Sequence, residues 1–233
     1  MDSVRARSFG AAAAEYAAAR PSYPVEAVRF VVPPGARRVL DLGAGTGKLT
    51  SVLLDLGHVV VAVEPDDAMR ALIDPRAEVR AGTAEDVPVA DASVDAVVVG
   101  QAWHWFDPVA AMASVRRVAR PGAPLGLLWN LLDDSSGWPL ALAEHIGMED
   151  RASYVVPGEE RPYDDAPGPW KRELFRHEQP ADADLVVANM ASRSVVIVMP
   201  EPDRTAHVEK VRDVVPGGSF TIPWVCDTWV TSL

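Results

Sequence analysis

The chain has 233 residues, 48% hydrophobic and 24% charged, and its 33 acidic side chains outnumber 22 Lys and Arg for a net charge of −11. That length suits one sizeable α/β domain, or one domain carrying an inserted lid, and the composition is that of a globular chain. A surface this acidic repels phosphate backbones, which argues against a nucleic-acid partner.

The single cysteine, Cys226, rules out an intrachain disulfide and fits a reducing compartment. With no base beside it, it reads as a small buried hydrophobe. The opening "MDSVRARSFGAAAAEY" breaks its alanine run with Glu15 and Tyr16, unlike a secretory leader. No stretch reaches the roughly 20 apolar residues of a membrane span. The expectation is a cytoplasmic protein without a membrane partner, monomeric or homodimeric.

In chain order, an Ala-rich helical segment leads to "RRVLDLG" (37–43), a strand ending in glycine. In "KLTSVLLDLG" (48–57), Leu49, Val52, Leu53 and Leu56 recur at helical spacing and Gly57 ends the helix. "HVVVAVEP" (58–65) predicts a second strand, and "DDAMRALID" (66–74) a helix capped by Asp66. Strands follow over 77–82 and 94–100, the latter opened by Asp95 in a structural role. A helix runs from Pro108 to Arg120, where the cations of "SVRRVAR" suit its C-terminal dipole. A fifth strand covers 123–131.

Valine-rich strands alternating with helices predict right-handed βαβ units and a parallel sheet buried on both faces. Regularity lapses over 133–170, where prolines, glycines, acids and Trp138, Tyr154, Tyr163 and Trp170 read as a partly helical lid, too poor in apolar residues for its own core. A strand (171–180), two helices (182–194 and 201–215) and a last strand (219–233) complete the chain.

The loop "VLDLGAGTGKLT" (39–50) joins the first strand to the first helix of the sheet. Such a loop sets glycines, backbone N–H groups and a helix N-terminus against a ligand. A phosphate-binding G-x-x-x-x-G-K-[ST] fails here, because Leu49 follows Lys48 and Leu42 stands where the first glycine belongs. The dinucleotide pattern G-x-G-x-x-G is weakened by Lys48 at its third glycine. What the chain has is Asp41-x-Gly43-x-Gly45-x-Gly47, which resembles the signature loop of the class I S-adenosylmethionine-dependent methyltransferases.

Support for that resemblance comes from both sides of the loop. The second strand ends at Glu64-Pro65, where a carboxylate accepts hydrogen bonds from vicinal ribose hydroxyls. "GTAEDVP" (82–88) resembles the family's G-x-A-E-x-x-P stretch, which implies Thr83 and Ala84 beside the adenine, with Glu85 and Asp86 as alternates. "FGAAAAEYAAARPSYP" (9–24) is similar to the N-terminal helix of the trans-aconitate methyltransferase-like group within the methyltransferase type 11 family. There Tyr16 and Arg20 would cap the cofactor and engage its methionine carboxylate. On residues alone, a helix packed on the sheet edge with Arg20 in a surface ion pair is equally compatible.

The resemblance covers about residues 9–131. It implies a doubly wound, mostly parallel seven-stranded sheet with helices on both faces, a Rossmann-like class I methyltransferase fold. The chain then reads as a single domain: an N-terminal helical cap (1–36), a cofactor-binding core (37–132), a substrate lid (133–170) and a C-terminal part of the sheet (171–233). Asp41, Gly43, Ala44, Gly45 and Gly47 would cradle S-adenosyl-L-methionine.

Methyl transfer from a sulfonium is an in-line displacement, so the protein supplies orientation and desolvation. A carboxylate acceptor needs no base, whereas a hydroxyl would gain roughly two to four orders of magnitude from one. In "VVVGQAWHWFDP" (97–108), Gln101 and Ala102 fall at the carboxyl end of the fourth strand, close to the expected sulfonium. Trp103, His104 and Trp105 would line the methyl path, with His104 the candidate base, whereas Trp105 and Phe106 suit equally well an anchor for the next helix.

No Asn/Asp-Pro-Pro-Tyr motif for base methylation, no metal-ligand spacing among the five histidines and no Gly-x-Ser-x-Gly elbow occurs. The expected activity is methylation of a small molecule on a carboxylate or hydroxyl oxygen. Two alternatives stand: an NAD-dependent oxidoreductase, disfavoured by Lys48 and the lack of Tyr-x-x-x-Lys, and a non-catalytic cofactor-binding regulator of the same fold.

Overall fold

The computed structural model describes residues 19–146 and 169–233. Seven strands form one sheet: β1 (Arg38–Leu42), β2 (Val59–Val63), β3 (Glu78–Arg80), β4 (Ala96–Gly100), β5 (Pro124–Leu132), β6 (Lys171–Ala181) and β7 (Phe220–Ser232). Their spatial order is β3-β2-β1-β4-β5-β7-β6, and β7 alone runs antiparallel to both of its neighbours. The sheet is thus mostly parallel and Rossmann-like.

The central strands are buried because their side chains are apolar on both faces: β4 reads Ala-Val-Val-Val-Gly and is buried through Val99. Their two faces feed two separate cores. Helix α4 (Pro108–Val118) sends Ala111, Met112, Val115 and Val118 into one of them. Helices α1 (Val25–Val31) and α2 (Lys48–Asp55) send Val28, Val31, Leu49 and Leu53 into the other, where Cys226 of β7 is also fully buried.

Helix ends follow local chemistry. Asp66 caps α3 (Asp67–Arg70) by accepting the Ala68 and Met69 N–H groups, both at 2.9 Å. Asp107 caps α4 in the same way, with Pro108 in the first turn where its missing N–H costs nothing. Helix α3 is shorter than the 66–74 expected, since the chain turns after Arg70 towards Pro75. Asp95 fastens β4 to β1 by accepting the backbone N–H groups of Arg37 (2.9 Å) and Arg38 (2.8 Å), and it pairs with Arg120.

Of the stretch read as a lid, Gly137–Ile146 forms helix α5; residues 147–168 lie outside the described residues. Leu142 of α5 is fully buried in a third cluster with Val186 and Met190 of α6 (Ala183–Ala191), Val211 of α8 (Glu201–Val214) and Ile222 and Trp224 of β7. A short helix, α7 (Ser194–Ile197), stands between α6 and α8 and was not expected from the sequence. Helix α5 therefore belongs to a core shared with the C-terminal helices.

Among the described residues no helix is long and apolar enough to cross a membrane.

Candidate functional site

From β1 the chain crosses to β2 on one side, while β4 flanks β1 on the other, so a crevice opens at the carboxyl ends of β1 and β4. A cavity fills that crevice. It is lined by Arg20, Pro21 and Tyr23 before α1; by Asp41, Gly43, Ala44, Gly45, Thr46, Lys48 and Leu49 from the first loop and α2; by Glu64, Pro65 and Met69 after β2; by Gly100, Gln101, Ala102, Trp105 and Phe106 after β4; and by Asn130 of β5.

Gly43, Gly45 and Gly47 all have left-handed φ (+70°, +56° and +83°), which side chains rarely adopt. At Gly43 a Cβ would also lie 2.8 Å from the Ala102 Cβ and 3.0 Å from Phe106. The loop spends most of its amides on the end of β2. Gly43 and Ala44 donate to the Val63 carbonyl, Gly45 to Glu64, and Gly47 to the Ala44 carbonyl. This departs from the expectation of a loop whose N–H groups face a ligand; only Thr46 of the five has no partner among the described residues. Such a loop gives shape and close approach, not the cluster of amide donors that phosphates require.

Glu64 is 6% exposed. One carboxylate oxygen accepts the Gly45 N–H (2.8 Å) and the other the Asp66 N–H (2.9 Å), so each keeps a lone pair for a further donor. Burial raises its pKa above the usual carboxylate range, against the pull of those two hydrogen bonds. Asp41, 1% exposed, accepts the Thr50 hydroxyl at 2.6 Å; burial, with the nearby Glu64 charge adding to it, pushes its pKa up to about 7. Two cations, Arg20 and Lys48, line the same cavity. Burial lowers the Lys48 pKa, and no ion-pair partner stands beside it among the described residues.

Gln101 takes the left-handed conformation (φ +57°), uncommon for a residue with a side chain. Its N–H donates to the Leu128 carbonyl (2.9 Å) and its Nε2 to the Asn130 carbonyl (2.7 Å). The Asn130 side chain in turn donates to the Ser22 carbonyl (3.0 Å) and faces the His177 Nε2 at 3.0 Å.

Arg20, Asp41, Gly43, Ala44, Gly45, Glu64, Pro65, Gln101, Ala102 and Trp105 are thus brought together, while the others are placed elsewhere. Tyr16 lies outside the described residues. Gly47 is the left-handed N-cap of α2, packed against Ile73. Thr83 accepts the Asp86 N–H, Ala84 is buried in the core beside α4, and Glu85 holds α4 by accepting the Asp107 N–H and the Ser114 hydroxyl; none lines the cavity.

In the aromatic stretch Gln101, Ala102, Trp105 and Phe106 line the cavity, whereas Trp103 and His104, expected along the methyl path, do not. Trp103–Trp105 form a 3₁₀ turn, and its three-residue period puts Trp103 and Phe106 on one side. Trp103, 5% exposed, enters the core; Phe106 packs edge-on against it (centroids 5.8 Å apart) and forms the wall. His104 lies off the wall with its ring centroid 4.7 Å from that of Trp105, and burial lowers its pKa to about 4, which keeps it neutral.

Tyr23, Lys48, Met69, Phe106 and Asn130 were not expected as lining. Only the Rossmann-type rule that ligands sit at strand carboxyl ends could have pointed to Asn130, which closes β5's half of the crevice. No group of three or more His, Cys, Asp or Glu side chains among the described residues is placed to hold a metal ion.

Residues 40–126 match a family described as a methyltransferase domain. An uncharacterized methyltransferase of Mycobacterium tuberculosis (strain ATCC 25618 / H37Rv) is 44% identical over 215 residues, covering 89% of this chain and 85% of that protein. An uncharacterized methyltransferase-like protein of Schizosaccharomyces pombe is 34% identical over 166 residues, 66% of this chain and 64% of its own. Among solved structures, one from Anaeromyxobacter dehalogenans assigned as a Type II methyltransferase superposes with a TM-score of 0.68 at 24% identity, covering 91% of this chain and 97% of the other.

Proposed function

The chain belongs to the S-adenosylmethionine-dependent methyltransferases, and on that premise we propose that it methylates a carboxylate or hydroxyl oxygen of a small molecule, as a relative of the trans-aconitate methyltransferase-like group. The observation that carries the reading is the composition of the cavity: a close-approach loop of left-handed glycines, a buried carboxylate with two unused lone pairs after the next strand, and two cations, Lys48 at the start of α2 and Arg20 before α1.

These residues fit S-adenosyl-L-methionine better than NAD. The glycine loop commits most of its amides to Val63 and Glu64, so it lacks the donors a pyrophosphate needs, while Glu64 suits a ribose diol. In this reading Glu64 receives the ribose hydroxyls and Arg20 the methionine carboxylate. Gly43, Gly45 and Ala102 let the ligand approach the backbone, and Trp105 and Phe106 exclude water from the reacting end. Thr83, Ala84 and Glu85 hold the neighbouring turn and α4 against the cavity.

When bound, the cofactor supplies a methyl group already activated for displacement, so the chain's own task is to align it with the acceptor oxygen. An oxygen that is ionised at neutral pH needs no proton removed, which agrees with His104 standing off the cavity wall. The acceptor is therefore most simply a carboxylate. In this reading residues 1–36 serve as the cap and 37–132 as the cofactor-binding core.

Turnover against a panel of di- and tricarboxylic acids, phenols and amines, followed by release of S-adenosylhomocysteine, tests the acceptor class. Methyl ester formation on an organic acid is the expected product. Turnover confined to amines would overturn the oxygen assignment, and cofactor binding without turnover on any acceptor would favour the regulatory reading.

A further inference from the structure

Arg20, Pro21 and Tyr23 form part of the cavity wall, and the segment from Ala19 to Tyr23 is held at one end from the C-terminal half of the molecule. Asn189, fully buried on α6, donates its Nδ2 to the Ala19 carbonyl at 3.0 Å across 170 residues of sequence. Arg20 reaches back to the Ser192 carbonyl (3.4 Å), one of the acceptors that a helix C-terminus leaves unpaired. At the far end of the segment, Asn130 holds the Ser22 carbonyl, and Tyr23 packs so closely over Gly100 that a Cβ there would lie 2.5 Å from its hydroxyl.

Asn189 is an odd choice for stability. Its Oδ1 is buried with no hydrogen-bond partner among the described residues, a desolvated acceptor that an apolar side chain of the same size would avoid. The one bond its side chain makes among the described residues is to the residue next to Arg20. We propose that Asn189 is a positioning residue: by fixing Ala19 it sets where the Arg20 guanidinium stands on the cavity wall, so that α6 governs affinity for the carboxylate end of the cofactor. This rests on the reading that the cavity holds S-adenosylmethionine with Arg20 at its methionine end.

Calorimetry with two probes tests it: S-adenosylhomocysteine, which carries the amino-acid end, and 5′-methylthioadenosine, which lacks it. Arg20→Ala is expected to weaken the first by about 10- to 150-fold, the cost of a charged hydrogen bond, and to leave the second within about twofold. Asn189→Leu removes the orphaned Oδ1 but leaves the Ala19 carbonyl unpaired, one buried acceptor exchanged for another, so its melting temperature should stay near the native value. It is expected to weaken S-adenosylhomocysteine at least about fivefold while leaving 5′-methylthioadenosine within about twofold. Adding Asn189→Leu to Arg20→Ala should cost no more than about a further twofold, since both act through one group.

Equal weakening of both probes, additive losses, or unchanged affinity would overturn the positioning role. So would unfolding of both Asn189→Leu and Asn189→Ala, which would make the residue a determinant of the fold. If the native protein bound neither probe, the cofactor reading itself would fail, a result distinct from all of these.

Discussion

Asp41 and Glu64 stand at the floor of the cavity as two buried carboxylates, and burial raises the pKa of both. For Asp41 the sign is clear: its folded pKa of about 7 lies above the ordinary value of 3.8, so the native state holds the proton more tightly than the unfolded chain. Its contribution to stability is present below about pH 4 and is lost as pH rises to about 7. His104 acts in the opposite sense, because its pKa falls to about 4 from 6.5, so that stability is gained as pH rises through that interval. The native curve mixes the two, but the difference from Asp41→Asn isolates the carboxylate. Denaturant melts should show Asp41→Asn gaining on the native protein by a few kcal/mol between pH 4 and pH 7 and no further above. A gap independent of pH would mean that Asp41 is ionised throughout.

At this scale much of the site is legible in sequence. Asp41, the glycines and Glu64 are fixed by strand ends, and a strand end is readable from a valine run that stops. Trp103 and Trp105 are not, because the side each faces depends on a 3₁₀ turn whose register no valine pattern announces. Asn130 is silent for a related reason: its partners, Ser22 and His177, lie 108 and 47 residues away.

Among the elements, the packing of α1 on the sheet shows how a residue unremarkable in sequence sets a distance. A Cβ on Gly126 of β5 would lie 2.5 Å from the Val31 Cβ and 2.9 Å from both of its methyls, and a β-branched side chain so near its own backbone has little room to yield. Gly126→Ala is expected to cost about 1–3 kcal/mol through overpacking, and Val31→Ala in the same chain should return part of it. Melts showing purely additive losses would place the strain elsewhere. The seven strands themselves were readable within a residue or two; for the central ones burial on both faces demands apolar runs, whereas β6 is a polar edge strand with no buried residue. The short α3, the added α7 and the role of α5 in a shared core were not: α3 stops at the turn towards Pro75, and α5 packs into a core with α6 and α8, far off in sequence.

Over the whole molecule, the N-terminal segment and the parallel half of the sheet wall one cavity, and the C-terminal helix α6 secures the first of these from behind. Sequence order hides this, because residues 19–23 are secured by residues 130, 189 and 192. The central claim is that this cavity binds S-adenosylmethionine through a ribose contact at Glu64. Calorimetric titration of the native protein and Glu64→Ala with S-adenosylhomocysteine and with NAD tests it most directly. The account predicts binding of S-adenosylhomocysteine in preference to NAD, and a loss of about 1–3 kcal/mol in Glu64→Ala from unpaired ribose hydroxyls and the freed Gly45 amide. Equal affinity in both proteins, or tight NAD binding without S-adenosylhomocysteine binding, would contradict it.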